Sequence, residues 1–161
     1  MNIRDFSQSA KNELFGEKLQ FRRLEEGDYD LGFLSVLSIL TTVGTFTKEK
    51  WLEQYREISS NPCIQVWVIH DTSTNQIIGT ATLLIEPKFI HDCGRVAHIE
   101  DVVLSKSTHG TGLGKKIVTF LAEQAKIRGC YKVILDCTKE TIGFYEKCGF
   151  TVKNTQMGLY F

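Results

Sequence analysis

The chain has 161 residues, 42% of them hydrophobic and 24% charged, which fits one soluble globular domain with a sizeable core. Its 19 Lys plus Arg balance 19 Asp plus Glu, so it lacks the basic excess of a general nucleic-acid binder, and any anion site must be local. No apolar run reaches bilayer length, and the polar start MNIRDFSQSAKNELFGEK has no signal-peptide core. The five cysteines (63, 93, 130, 137 and 148) form no CxxC pair, so the chain reads as a cytoplasmic protein with reduced thiols and neither a zinc site nor a disulfide framework.

Residues 1–17 read as a loosely held extension with one helical turn around Lys11 to Phe15, and residues 18–161 as one domain. Leu19 to Leu24 is the first strand, followed by a turn in which Asp28 is a candidate N-cap. Leu31, Leu34, Leu37 and Leu40, with Phe33 and Ile39, predict a buried amphipathic helix. A second helix starts at the cap candidate Thr47, shows Trp51, Tyr55 and Ile58 on one face, and stops before Asn61-Pro62. Ile64 to Asp71 and Ile77 to Glu86 are strands around a polar turn and predict a hairpin. Pro87 to Arg95 is a loop and Val96 to Leu104 the fourth strand. Leu113, Ile117, Leu121 and Ala125 mark a helix closed by Gly129, and Tyr131 to Cys137 is a fifth strand, expected parallel to the fourth. A short helix with Ile142, Phe144 and Tyr145 precedes a final pair of short strands opened by Gly149-Phe150. The order βαα-ββ-β-α-β-α-β is that of a mixed α/β domain.

The segment His98 to Lys116, HIEDVVLSKSTHGTGLGKK, joins an apolar strand with two adjacent carboxylates to a glycine-rich loop and a helix. The loop is not a Walker A motif, because His109 and Lys116 stand where Gly and Ser or Thr are needed, and Lys115 breaks the dinucleotide pattern GxGxxG. The remaining GxGxG suits either a flexible turn or a pyrophosphate cradle of backbone N–H groups at a helix start. A regular pleat sends Glu100 and Asp101 to opposite faces, with Asp101 in the row of Ala97, Ile99 and Val103. A carboxylate in an apolar row is either paired or used chemically. Asp136 falls at the C-terminal end of its strand, where open α/β sheets place ligands, but also suits an N-cap for the segment from Thr138.

This arrangement resembles the GNAT acyl-coenzyme A transferase superfamily, whose signature of Gln or Arg, two residues, Gly, one residue and Gly or Ala maps onto His109, Gly112 and Gly114. His109 departs from the usual Gln or Arg. RRLEEGD, LTTVGT, HIEDVV, GCYKVILDC and FYEKCGF together are similar to the eukaryotic glucosamine-6-phosphate N-acetyltransferase family, from about residue 20 to the end.

The resemblance implies a mixed, mostly antiparallel sheet with a central splayed parallel pair flanked by helices. It implies direct acetyl transfer from acetyl-coenzyme A, as cosubstrate and without a metal, to the amine of an amino-sugar phosphate, in a homodimer with shared sites. Asp136 would hold or deprotonate the amine, Tyr145 would protonate the leaving thiolate, and Asp101 with Glu100 would orient the sugar. Thr41, Lys88 and His91 would contact the sugar phosphate. Val102, Val103, Leu104, the stretch Gly110, Thr111, Gly112, Leu113, Gly114 and Lys115, and Tyr145 would hold the coenzyme, with the thioester carbonyl near the Val102 N–H. Tyr145 also suits a core position, and His98 reads as structural. Cys137 and Cys148 lack an activating histidine in the motif and are rejected as nucleophiles. A phosphate-binding arginine of the family, three residues after the last-strand methionine, is replaced by Tyr160. Two other readings stay open: a GNAT enzyme for another small amine or a protein N-terminus, and a non-catalytic acetyl-coenzyme A sensor.

Overall fold

In the computed structural model, residues 15–161 are described; the helical turn expected around Lys11 lies, apart from Phe15, outside them. Five strands form one sheet in the order β1 (Leu19–Arg23), β2 (Ile64–Asp71), β3 (Gln76–Pro87), β4 (Arg95–Leu104) and β5 (Cys130–Ile134). All neighbours are antiparallel except β4 and β5, which are parallel as the helical crossover between them requires.

Helices cover both faces. On one, α1 (Phe33–Leu40) and α2 (Lys48–Ser60) pack through Phe33, Val36 and Trp51 on Val66, Val68, Ile77 and Val103. On the other, α3 (Leu113–Ile127) sets Ile117, Val118 and Leu121 against Trp67, Leu83, Ala97 and Ile99. Coverage on both sides explains why Val66, Trp67, Val68 and Ile69 are consecutive buried residues of β2. Phe15 belongs to this second core, its ring 4.6 Å from Phe21.

The first helix departs from its leucine pattern. It starts only at Phe33, after Gly32 in a left-handed conformation, and buries Phe33 and Val36 while Leu40 stays 45% exposed. Asp28 is not its N-cap. It lies in a 3-10 turn at Glu26–Tyr29, fully buried, accepting from the Glu25 N–H at 2.8 Å and bidentately from Arg22 at 2.8 and 2.7 Å. Asp28→Ala should therefore destabilise the fold by about 3 kcal/mol, the lower end for breaking a buried pair because Arg22 keeps some water; a denaturant titration checks this.

Two features of β4 shape the site. Thr80 pairs with Val103 but Thr82 pairs with Glu100, so Ala81 faces both Asp101 and Val102. This is a β-bulge, and Asp101 takes φ 51°, a left-handed value that Asp tolerates better than a branched residue. The expected row of Ala97, Ile99, Asp101 and Val103 is thereby broken. The extra residue flips the parity, so Ile99 joins the core under α3 and Val103 the core under α1, while Asp101 is exposed. Secondly, β4 and β5 pair only up to His98 and Ile134, whereas β4 runs on to Leu104. The two strands part there, leaving one edge of β4 open from Ile99 onward.

The expected final strand pair is absent. Residues 151–161 form no strand and are exposed, since they run beside the end of β5 without ladder bonds to any strand.

Candidate active site

The site gathers where β4 and β5 diverge. β5 stops at Ile134, earlier than the expected Cys137, and the segment Leu135-Asp136-Cys137 leaves the sheet. The Asp136 carboxylate is exposed and accepts a 2.8 Å bond from Gln156 Nε2. It caps no helix; the following 3-10 turn, Lys139–Thr141, has Thr138 at its N-cap position. Glu100, half-buried on β4, is held above the ordinary carboxyl range, first by its burial and then by the repulsion of Asp136, with Asp101 adding and His98 opposing. Glu100 thus lies within electrostatic reach of both Asp136 and Asp101, a negative set that suits a positively charged group.

Tyr145 comes from α4 (Ile142–Lys147). Burial, followed by Cys137, Cys148 and Glu100, pushes its phenol above the ordinary value, so it stays protonated at neutral pH. Phe144 and Phe150 hold its ring edge-on at 4.9 and 6.2 Å. A cavity of about 510 Å³ opens between the end of β5, α4 and the C-terminal segment, lined among others by Asp136, Lys139, Tyr145, Phe150, Lys153 and Gln156.

The glycine loop separates into two functions. Gly110 and Gly112 both have φ 79°, with open space where a Cβ would stand, so backbone conformation alone demands glycine. Thr111 Oγ1 donates to the Thr108 carbonyl at 2.6 Å and stiffens the turn. The Lys116 N–H opens the helical ladder by bonding the Gly112 carbonyl at 3.1 Å, so the N–H groups of Gly114 and Lys115 precede the ladder and suit an anion. Gly114 itself is a packing residue: a Cβ there would lie 3.2 Å from the Phe144 ring. Gly114→Ala should push α4 outward and lower stability by about 1–3 kcal/mol, with turnover falling in parallel because Tyr145 moves with Phe144; thermal melting beside steady-state rates reads both effects. The His109 side chain points to solvent, and its N–H bonds the Lys106 carbonyl at 3.2 Å.

The other expected residues lie further out. Lys88 is ion-paired with Glu86, which also meets His98 Nε2 at 3.0 Å. His98 is thus part of a polar chain leading to Glu100, rather than only a strand residue. His91 sits in a left-handed turn with its ring 4.1 Å from Tyr131, at the far end of β5 from Asp136. Thr41, exposed at the end of α1, makes no side-chain hydrogen bond among the described residues. Val102 and Leu104 pack toward α3, and Val103 toward α1. Sequence reasoning passed over Glu86, Lys139, Lys153 and Gln156. Glu86 had one signal, a carboxylate on the polar face of β3 beside the row of His98; the three others had none.

Comparison with known proteins agrees with this architecture. The acetyltransferase (GNAT) family profile matches residues 33–150. The chain is 44% identical to glucosamine 6-phosphate N-acetyltransferase 1 of Oryza sativa subsp. japonica, over 91% of this chain and 89% of that protein. It is also 44% identical to the glucosamine 6-phosphate N-acetyltransferase of Candida albicans, over 85% of this chain and 92% of that one. The crystal structure of glucosamine-6-phosphate N-acetyltransferase from Arabidopsis thaliana superposes with a TM-score of 0.87 at 42% identity, covering 90% of this chain and 99% of that one. The parallel pair that parts at His98, the bulge at Asp101 and the glycine loop before α3 therefore belong to a GNAT acetyltransferase, and the chain is a member of the glucosamine 6-phosphate N-acetyltransferase family.

Proposed function

We propose that the protein transfers acetyl from acetyl-coenzyme A to the 2-amino group of D-glucosamine 6-phosphate, giving N-acetylglucosamine 6-phosphate, a step toward UDP-N-acetylglucosamine. The observation that carries this reading is that Asp136 and Tyr145 line one cavity at the end of β5, where β4 and β5 part, and that the glycine loop packs on the same α4 through Gly114 and Phe144. In the ternary complex the pyrophosphate lies on the N–H groups between Gly110 and Lys115, and the thioester carbonyl meets the Val102 N–H at the open edge of β4. Glu100 and Asp101 orient the amino sugar. Asp136 takes the ammonium proton, the amine nitrogen attacks the carbonyl carbon, the carbon–sulfur bond breaks, and Tyr145 gives its proton to the departing thiolate.

Thr41, Lys88 and His91 serve the sugar phosphate, His91 from its distance through rearrangement or a second subunit. Lys139 and Lys153 line the cavity and pair with no carboxylate among the described residues, which supplies positive charge that Tyr160 lacks. Lys153→Ala should raise KM for glucosamine 6-phosphate about fivefold, the roughly 1 kcal/mol of an exposed charge contact, and leave KM for glucosamine unchanged in the same assay.

A homodimer fits the apolar side chains left exposed on β5 (Tyr131, Ile134) and in the C-terminal segment (Met157, Leu159, Phe161). The cytoplasm fits five cysteines that are all unpaired. The deciding experiment is thiol release from acetyl-coenzyme A with glucosamine 6-phosphate, glucosamine and a panel of amines. Preference for the phosphorylated sugar supports the reading; equal rates without the phosphate overturn this substrate, and no release with any amine favours a sensor.

A further inference from the structure

Between Lys88 and Glu100 lie two polar side chains, Glu86 and His98, that the reaction above does not use. Lys88 Nζ pairs with one oxygen of Glu86, and the other oxygen meets His98 Nε2 at 3.0 Å. The far nitrogen of that imidazole, Nδ1, lies 3.8 Å from Glu100 Oε1. The arrangement follows from the sheet. His98 and Glu100 are two apart on β4 and share a face, while Leu84 is opposite His98, so Glu86 reaches it diagonally from β3. The three side chains are half-buried, and all three stand on residues of the β3–β4 ladder, Glu86 opposite Val96, His98 opposite Leu84 and Glu100 opposite Thr82.

We propose that Glu86 and His98 are positioning residues: Glu86 holds the imidazole, and the imidazole sets the direction and the charge of the Glu100 carboxylate that faces the substrate amine. The role assigned to Glu100 rests on the acetyl-transfer reading above. Its physical logic is electrostatic. Asp136 beyond the end of β5 and Asp101 on the same strand both disfavour a charged Glu100, and the Tyr145 phenol on α4 faces the same group. Among these neighbours His98 is the one that opposes them. Glu86 and Lys88 are the charged groups facing His98 from β3 and the loop after it. The helix over the α1 face, FLSVLSIL, carries no titratable side chain, and on α3 Lys115 bears on Cys148. Removing the imidazole therefore leaves Glu100 facing Asp136, Asp101 and the Tyr145 phenol, and it should hold its proton to higher pH.

The test uses the full chain with Glu86→Gln, His98→Gln and the double variant. Carboxyl carbon NMR of the free protein follows the Glu100 titration and needs no substrate. In each single variant its midpoint should move upward by roughly half a pH unit to one unit, below the range for a buried charge pair because the site is half open. The double variant should move no further, since both substitutions cut one chain. With glucosamine 6-phosphate, the acid limb of kcat/KM should rise by the same amount and KM for the sugar should increase, with KM for acetyl-coenzyme A unchanged. A merely structural pair would lower the melting temperature and both KM values but leave the midpoint and the limb in place, and that result overturns the proposal. Additive shifts in the double variant also overturn it. Should His98→Gln fail to fold, the near-isosteric Glu86→Gln carries the same readings. Should the wild type acetylate no amino sugar, the acetyl-transfer reading fails, while the NMR titration still decides whether the pair controls Glu100.

Discussion

Tyr145→Phe is expected to lower kcat about 100-fold, the lower end for a positioned general acid, while the affinity for acetyl-coenzyme A stays within experimental error. The phenol is kept protonated by its burial and by the thiols of Cys137 and Cys148 and the carboxylate of Glu100. A group that holds its proton across neutral pH is available as a donor at the moment the carbon–sulfur bond breaks. The substitution removes the hydroxyl and keeps the ring, so the edge-on contacts to Phe144 and Phe150 survive and α4 stays docked on α3 through Gly114. Steady-state turnover with glucosamine 6-phosphate and a direct coenzyme titration separate the two effects. A loss of coenzyme affinity as large as the loss of turnover would make Tyr145 a packing residue and remove the proton donor from the mechanism.

Much of this framework was legible from local pattern. Thr47 accepts from the Lys50 N–H at 3.3 Å as its cap position predicts, and Gly129 ends α3 with φ 76°. The hairpin of β2 and β3 and the parallel pairing of β4 with β5 also follow from strand periodicity and from the helix between the last two. The failures share a cause, which is that they depend on a partner. Nothing in HIEDVV shows that Ala81 will face two residues, so the parity of Asp101 and Val103 is set by register across strands. The leucine spacing of α1 is partly right: Leu31, Leu34 and Leu37 pack on the core partly buried, but the fully buried residues of the helix are Phe33 and Val36, and Leu40 is exposed. The tail after Phe150 reads as strand, but a strand exists only with a neighbour, and here the tail offers Gln156 to Asp136 instead. The expectation for the site residues came from joining HIED, LDC and FYEKCGF across three elements. Glu86 escaped because its contact with His98 appears only when β3 and β4 are laid side by side.

The largest effect on the amine half of the site is expected from Asp136→Asn, which should reduce kcat by at least about 100-fold if Asp136 takes the ammonium proton. Asparagine keeps the shape and accepts the Gln156 bond through its amide oxygen, so the loss reports basicity rather than collapse. The residual activity carries a second signature in its pH dependence. In the wild type, Asp136 is the second-largest cause that raises the Glu100 carboxyl, after burial. Removing that negative neighbour lets Glu100 ionise at lower pH, so the acid limb that Glu100 governs should shift downward in the variant. This is opposite in sign to the shift expected for His98→Gln. The pair of shifts therefore separates a site in which Glu100 is tuned from both sides from one in which these residues act independently: both limbs moving the same way, or neither moving, would exclude electrostatic control of Glu100 by its neighbours. An Asp136→Asn variant that retained full turnover would pass the role of base to Glu100 or Asp101, and rate profiles of Glu100→Gln and Asp101→Asn would then identify which carboxylate takes the proton.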